Sequence, residues 1–278
     1  MSTDLRWPFE KWEGAGNDFV LLDARHRAFV GSPEALRRLG DRHFGVGCDQ
    51  LLVIGPPRSD AARLSFGIWN TDGSRARQCG NGARCVAAWA IGRDLLDADG
   101  GVFDSPSGSL RVSARDGAIA VDMGAPRFQA DVIPFIEGGG SMIEHDGRAY
   151  PFTAVSMGNP HAVIFVDDVL AAPVESLGAA LQRDARFPAQ CNVEFVAPLG
   201  TDRFAVRVFE RGVGETLACG SGACAVAAVA WRAGRSAGDT IELALPGGTL
   251  CVRRDVDDPA RLWLSGPATH VFDGEIEL

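Results

Sequence analysis

The sequence predicts an α+β protein of two pseudo-symmetric lobes that arose by internal duplication. Each lobe is expected to be a curved, mostly antiparallel β-sheet or barrel wrapped around a central helix. Three observations carry this. The phrase QCGNGARCVAAWA at 78–90 returns as ACGSGACAVAAVA at 218–230, which sets Cys79 and Cys219 140 residues apart in a chain of 278. Other matches follow in the same order at nearly the same offset. Strand-like runs alternate with turn residues in both halves, around two alanine-rich stretches.

The matches run the length of the chain. SPSGSLRV at 105–112 answers LPGGTLCV at 245–252 at offset 140, so that Pro106, Gly108 and Leu110 meet Pro246, Gly248 and Leu250. Gly16-Asn17 in EGAGNDF is echoed by Gly158-Asn159 in VSMGNPH at offset 142. CDQLLVI from Cys48 is echoed by CNVEFVA from Cys191 at offset 143, and SPEALRRL from Ser32 more loosely by APVESLGAAL from Ala172. A period this long describes two lobes and not a solenoid.

Ser32-Pro33-Glu34 opens the first expected helix: a serine cap, proline in the first turn, then Leu36 and Leu39 on one face. DQLLVIGP (49–56), ARLSFGIWN (62–70) and SLRVSARDGAIAVDM (109–123) have strand composition between turn residues, as do FAVRVFE (204–210) and GTLCVRRD (248–255). The alanine-rich runs 82–93 and 222–233 read as helices, small enough in side chain to lie inside a sheet.

Composition narrows the function. The formal charge of −9 disfavours a nucleic-acid surface or an anionic membrane as partner. No stretch reaches the roughly 18 apolar residues of a membrane helix. The beginning, MSTDLRWPFEKWEG, lacks the apolar core of a secretory signal. Seven cysteines, an odd number, point to free thiols in a reducing compartment, most simply the cytoplasm.

Cys79 and Cys219 each precede a Gly-x-Gly that opens a helix. The first amides of a helix lack internal acceptors and its dipole makes that end positive. The site favours a carboxylate or phosphate, and the same field favours a thiolate. Two such helices meeting at one carboxylate would place a thiol on either side of its α-carbon. One thiolate could then take a proton from one face while the opposite thiol returns one to the other. Cys85 and Cys224 lie inside the apolar runs and read as inert core, and Cys48, Cys191 and Cys251 as strand packing. Rival chemistries fit less well. Cys219-x4-Cys224 has tolerable zinc spacing, but Cys79-x5-Cys85 does not repeat it and there are only five histidines. Gly220-Ser-Gly222-x-x-Ala225 meets a loose dinucleotide pattern, but the strand before it ends near Phe209, too far back. No hydrolase elbow or Walker loop is present.

At this point the residues resemble one family, diaminopimelate epimerase. GAGNDF (14–19), HFGVGCDQLL (43–52), QCGNGARC (78–85), VSMGNPHAV (155–163), ERGVGETLACGSGAC (210–224) and LPGGTL (245–250) stand in that family's order. The resemblance implies a two-base epimerisation of diaminopimelate between LL and meso forms, on the route to lysine and peptidoglycan precursors. It implies no cofactor and no metal, and it suggests a homodimer. It implies lobes 1–122 with 267–278, carrying Cys79, and 123–266, carrying Cys219. Cys79 and Cys219 resemble the catalytic thiols, and His161 and Glu210 the residues that tune them. Gly80, Asn81, Gly220 and Ser221 resemble the cradle of the α-carboxylate. Asn17, Gln50, Asn70, Asn159, Asn192, Glu210 and Arg211 resemble the polar shell around the amino groups and the distal carboxylate, where amides and an arginine suit such a substrate. Two departures stand out: Cys48 where the family commonly has Phe, and Arg75 where an acidic residue is usual. They bear on substrate preference and not on the reaction type. Two alternatives stand beside this reading: a related racemase or epimerase with the same thiols and another side-chain pocket, and a non-catalytic amino-acid-binding protein on the same fold.

Overall fold

The computed structural model describes residues 6–29, 31–97, 99–114, 118–136 and 140–277. The chain folds as two compact units, Met1–Val121 with Gly266–Leu278, and Asp122–Ser265.

In the first unit the strands are β1 (Arg6–Gly14), β2 (Asn17–Asp23), β3 (Gln50–Gly55), β4 (Leu64–Asn70), β5 (Arg75–Ala76), β6 (Gly101–Ser105), β7 (Gly108–Ser113) and β8 (Ala120–Gly124), which runs on into the second unit. The helices are α1 (Pro33–Gly40) and α2 (Gly80–Ile91). The last strand of the chain, β19 (Thr269–Glu277), pairs with β1. From β19 the sheet runs through β1, β2, β3, β4, β6 and β7 to β8, with β5 folded back on the end of β4.

The second unit repeats this plan. Its strands are β9 (Met142–His145) and β10 (Arg148–Pro151), which form a separate hairpin, then β11 (Thr153–Ser156), β12 (Pro160–Phe165), β13 (Asn192–Gly200), β14 (Arg203–Glu210), β15 (Gly214–Thr216), β16 (Thr240–Leu245), β17 (Gly248–Arg254) and β18 (Leu262–Ser265). Its helices are α3 (Val174–Gln182) and α4 (Gly220–Arg232). The sheet runs β11, β12, β13, β14, β16, β17, β18, with β15 on β14.

Most neighbours are antiparallel, as the composition suggests, but each unit has two parallel steps. β2 pairs parallel with β3 and β4 with β6; β12 pairs parallel with β13 and β14 with β16. Each parallel step spans a helix, because a parallel neighbour needs a long crossover. The strand-like run 109–123 divides into β7 and β8; its residues 115–117 lie outside the described ones.

Local sequence explains the helices. Ser32 Oγ accepts from Ala35 N at 3.2 Å with Pro33 in the first turn, and Leu36 and Leu39 turn inward. The alanine-rich helices begin two residues earlier than the sequence suggests, at Gly80 and Gly220, because the cysteines themselves are the caps. Cys79 Sγ accepts from Gly82 N, and Cys219 Sγ from Gly222 N, each at 3.4 Å. A side-chain acceptor three residues ahead of an amide is what a serine supplies at other helix starts. Ten residues of α2 are buried, on all sides, so it lies within the sheet and not upon it. Cys85 in α2 and Cys224 in α4 are buried, and Cys191 packs in the second unit's core beside Leu177 and Phe195. Among the described residues no helix is long and apolar enough to cross a membrane.

Candidate active site

The duplicated register puts site residues at equivalent places. In the first unit Phe19 lies opposite Gln50, and Gln50 opposite Asn70. In the second His161 lies opposite Asn192. Val193 faces Phe209 as Leu51 faces Trp69, so Glu210 holds the place of Asn70. Hairpins β4–β5 and β14–β15 then lead to the two cysteine caps. The second hairpin also fills the gap after Phe209, so the Gly220 loop follows an antiparallel turn and not the strand of a βαβ unit.

The hydrogen bonds described at Cys79 run to asparagine and backbone amides. The thiol donates to Asn17 Oδ1 at 3.7 Å, and Asn81 Nδ2 donates to the same oxygen at 3.4 Å. Asn17 Nδ2 is held by Asp49 Oδ2 at 2.8 Å. Asp49 in turn accepts from Arg42 at 2.7 Å, and Arg42 grips Asp18 with two bonds of 2.9 and 2.8 Å. Lys11 completes the network, at 2.6 Å from Asp18 and bonded to the Gly47 carbonyl. Burial works against the Asp18 carboxylate, but the bonds from Arg42 and Lys11 win and hold its pKa down at about 2. Gln50 Nε2 donates to Asn70 Oδ1 at 2.9 Å, and Asn70 Nδ2 to Ser74 Oγ at 3.0 Å.

Around Cys219 the groups can ionise. Cys219 is 6% exposed. Burial pushes its thiol well above the usual range, Glu210 and Glu194 push the same way, and the Ser221 hydroxyl and Gly222 amide pull against them. Ser221 Oγ lies 3.5 Å from Sγ. Glu210 takes a bond from Thr216 Oγ1 at 2.6 Å, and its own pKa is raised by burial. His161 Nδ1 is 2.7 Å from Glu194 Oε1, and its Nε2 is 3.1 Å from Asn159 Oδ1. Asn159 Nδ2 donates to Ser221 Oγ at 3.3 Å. Asn192 Oδ1 accepts from the Arg211 amide at 2.9 Å, and the Arg211 guanidinium donates to the Ala189 carbonyl at 3.1 Å.

The first intrahelical bonds run from Ala83 N to Cys79 O and from Ala223 N to Cys219 O. The amides of Gly80 and Asn81, and of Gly220 and Ser221, lie ahead of them, where a helix has no acceptor of its own. They are therefore placed to receive an anion. The first unit gathers Asn17, Cys79 and Asn81 in one cluster and Gln50 with Asn70 in another. The second gathers Asn159, His161, Glu210, Cys219 and Ser221, with Asn192 and Arg211 joined beside them. Arg75 stacks over Trp69 at 5.3 Å, while its duplicate Glu215 pairs with Arg207 at 2.6 Å. Cys48 is buried in the first unit's core.

Two residues escape the sequence reading. Glu194 is fully buried on β13 and bonded to His161. Its signal was a charged residue two places after Asn192, on the same strand face, in a run otherwise apolar. Asp49 orients Asn17. Nothing local marks it, since an aspartate before a strand reads as a turn residue.

Each copy of the duplicated α+β fold thus holds a helix capped by a cysteine. In fold this chain is similar to a probable proline racemase from Agrobacterium radiobacter K84, with a TM-score of 0.71 at 15% identity, covering 98% of this chain and 93% of that one. Sequence goes further: the family model for diaminopimelate epimerase matches residues 9–129 and 153–271. Diaminopimelate epimerase of Xanthomonas axonopodis pv. citri (strain 306) is 49% identical over 275 residues, 97% of this chain and 96% of that protein. O-ureido-serine racemase of Streptomyces lavendulae is 48% identical over 280 residues, 99% of this chain and 96% of that protein. The chain belongs to the diaminopimelate epimerase family and is an isomerase.

Proposed function

We propose that this chain interconverts LL- and meso-diaminopimelate by exchanging the α-proton between Cys79 and Cys219. The observation that carries the reading is the repeated cap: each thiol caps a helix and stands beside its first-turn amides, for which a helix supplies no internal acceptor. An α-carboxylate held by such amides becomes a better sink for charge as the α-carbon loses its proton. One cysteine, as thiolate, takes that proton and becomes a thiol. The other, as thiol, delivers its proton to the opposite face and becomes a thiolate. The configuration inverts, no electrons leave the substrate, and the two sulfurs end with their protonation states exchanged.

Each compact unit supplies one thiol, so the lobes 1–122 with 267–278 and 123–266 are the working parts in this reading. His161 and Glu210 manage protons on the Cys219 side, where burial otherwise opposes a thiolate. Asn17, Gln50, Asn70, Asn159, Asn192 and Arg211 receive the amino groups and the distal carboxylate. Acid and base are both supplied by thiols, so the reaction requires no cofactor. The enzyme works in the cytoplasm, where thiols stay reduced, and assembles as a homodimer.

The likeness to the Streptomyces racemase favours one second reading: the same thiol chemistry on an amino acid with another side chain. Proton NMR in D2O separates the two. Loss of the α-proton of LL-diaminopimelate, with appearance of the meso isomer, is the expected result. Exchange of O-ureidoserine without exchange of diaminopimelate moves the assignment to the second reading.

A further inference from the structure

The duplication supplies an internal comparison at each thiol. Three residues after each cysteine stands a glycine. A Cβ added to Gly82 would meet Leu52 at 3.0 Å and Phe19 at 3.3 Å; one added to Gly222 would meet Glu194 Oε1 at 2.8 Å. Leu52 and Glu194 hold the same place in the two sheets, as do Phe19 and His161. One copy has two hydrocarbon side chains where the other has a carboxylate on an imidazole. A buried ion pair costs more than hydrocarbon in the same volume, so its presence at one copy alone points to a task. The proposed reaction leaves Glu194 without one.

Hydrogen bonds place the protons. Asn159 gives its Nδ2 to Ser221 Oγ, which turns its Oδ1 toward His161 Nε2 at 3.1 Å. An oxygen facing Nε2 requires a hydrogen on that nitrogen. Nδ1 faces a carboxylate oxygen at 2.7 Å, with both side chains closed to water, so one further proton lies between them. Glu194 from β13 and Asn159 ahead of β12 bond to the ring, Glu210 from β14 interacts with it, and Ser221 of α4 stands behind Asn159. The second oxygen of Glu194 has no hydrogen-bond partner among the described residues, so His161 is where this carboxylate directs its charge.

We propose that Glu194 is a positioning residue of the isomerase: its Oε1 keeps a proton on His161 Nδ1, so the ring stands with N–H on both nitrogens beside Asn159 and Ser221. The ring is then a fixed cation that holds Asn159 and, through it, the Ser221 hydroxyl next to Cys219. The kinetic consequence rests on the function proposed above; the protonation of the ring does not.

The test uses the full chain labelled with 15N-histidine. There are five histidines, and His161→Gln identifies the signal of interest. At pH 8 an ordinary histidine, with pKa about 6.5, is neutral. His161 is expected to show hydrogen on both ring nitrogens at that pH, and in Glu194→Gln on Nε2 alone. With diaminopimelate, Glu194→Gln is expected to lower kcat about tenfold or more with little change in KM, and Glu194→Asp to restore part of it. In a His161→Gln background the Glu194 substitution should add nothing. A singly protonated His161 in the wild type overturns the proposal, and that spectrum decides alone if Glu194→Gln does not fold. A ring unaltered by Glu194→Gln overturns it, and so does a kcat loss that persists in the His161→Gln background. A wild type that fails to turn over diaminopimelate defeats the function reading and leaves the nitrogen spectra to decide the role of Glu194.

Discussion

Asp49 Oδ2 takes a hydrogen bond from Asn17 Nδ2 at 2.8 Å and thereby turns the opposite end of that amide, Oδ1, toward the Cys79 thiol. An unconstrained asparagine could present either end. Asp49→Ala is expected to leave Asn17 free to rotate and to lower kcat/KM about tenfold, a loss of roughly 1.4 kcal/mol of transition-state stabilisation. Steady-state kinetics beside an unfolding curve check this: an activity loss matched by an equal stability loss would make Asp49 merely structural.

Cys79→Ala and Cys219→Ala should each abolish epimerisation, with a fall of at least about a thousandfold in kcat, because neither thiol can do the work of both. The proteins should still fold and bind substrate. Isothermal calorimetry with unreactive variant and substrate measures the binding that remains.

Gly82→Ala and Gly222→Ala should differ in cost. Both gain about 1 kcal/mol of helix propensity. At Gly82 the new methyl meets Leu52 at 3.0 Å and Phe19 at 3.3 Å, closer than ordinary contact, but the end of the Leu52 side chain can turn away. At Gly222 it meets a carboxylate oxygen at 2.8 Å that is pinned by His161. Gly82→Ala is expected near neutral, and Gly222→Ala to cost about 2 kcal/mol through the displaced buried charge. Urea denaturation of the two variants tests the order.

Acid should weaken the first unit through Asp18. Its folded pKa of about 2 lies below its ordinary 3.8, so its stabilisation is fully present above about pH 4 and is lost as pH falls toward 2. The side chain is 18% exposed, and the contribution is about 1–2 kcal/mol. Asp18→Asn should therefore be less stable than wild type by that amount at pH 7, with the gap closing between pH 4 and 2. A gap that stays constant over that range would remove Asp18 as the cause.

Thiol labelling should sort the cysteines by burial. Cys48 is pushed up to about 12 by desolvation, and Cys85 and Cys191 are raised by the same cause. In the native protein at pH 8, iodoacetamide should modify Cys79 well before these three, as peptide mass spectra would show. Early labelling of Cys85 would contradict the close packing of α2.

The repeat made much of this legible beforehand. The alignment of Cys79 with Cys219 needed only two similar phrases, and Ser32-Pro33 marks α1 with an ordinary cap. The parallel steps were not legible, because β2 and β3 look alike whether their neighbours run with them or against them. The start of the alanine-rich helices was misread by two residues because a thiol is an unusual cap. Glu194 was missed for a different reason. Its partner His161 is distant along the chain, and only the register of β12 on β13 brings their side chains together. Asp49 was hidden in the same way: its bond to Asn17 crosses from the start of β2 to the residue before β3.

The unequal surroundings of the two sulfurs limit where any directional bias can be seen. A catalyst cannot move an equilibrium, so the ratio of kcat/KM for the two directions must equal one constant at every pH. In the proposed reaction, however, Cys219 starts as base in one direction and Cys79 in the other, and Glu210 and Glu194 act on the Cys219 thiol. The inequality of the two sulfurs must therefore appear in kcat and KM taken separately, as saturating rates that crest at different pH for the two isomers, while the quotient stays level across the whole range.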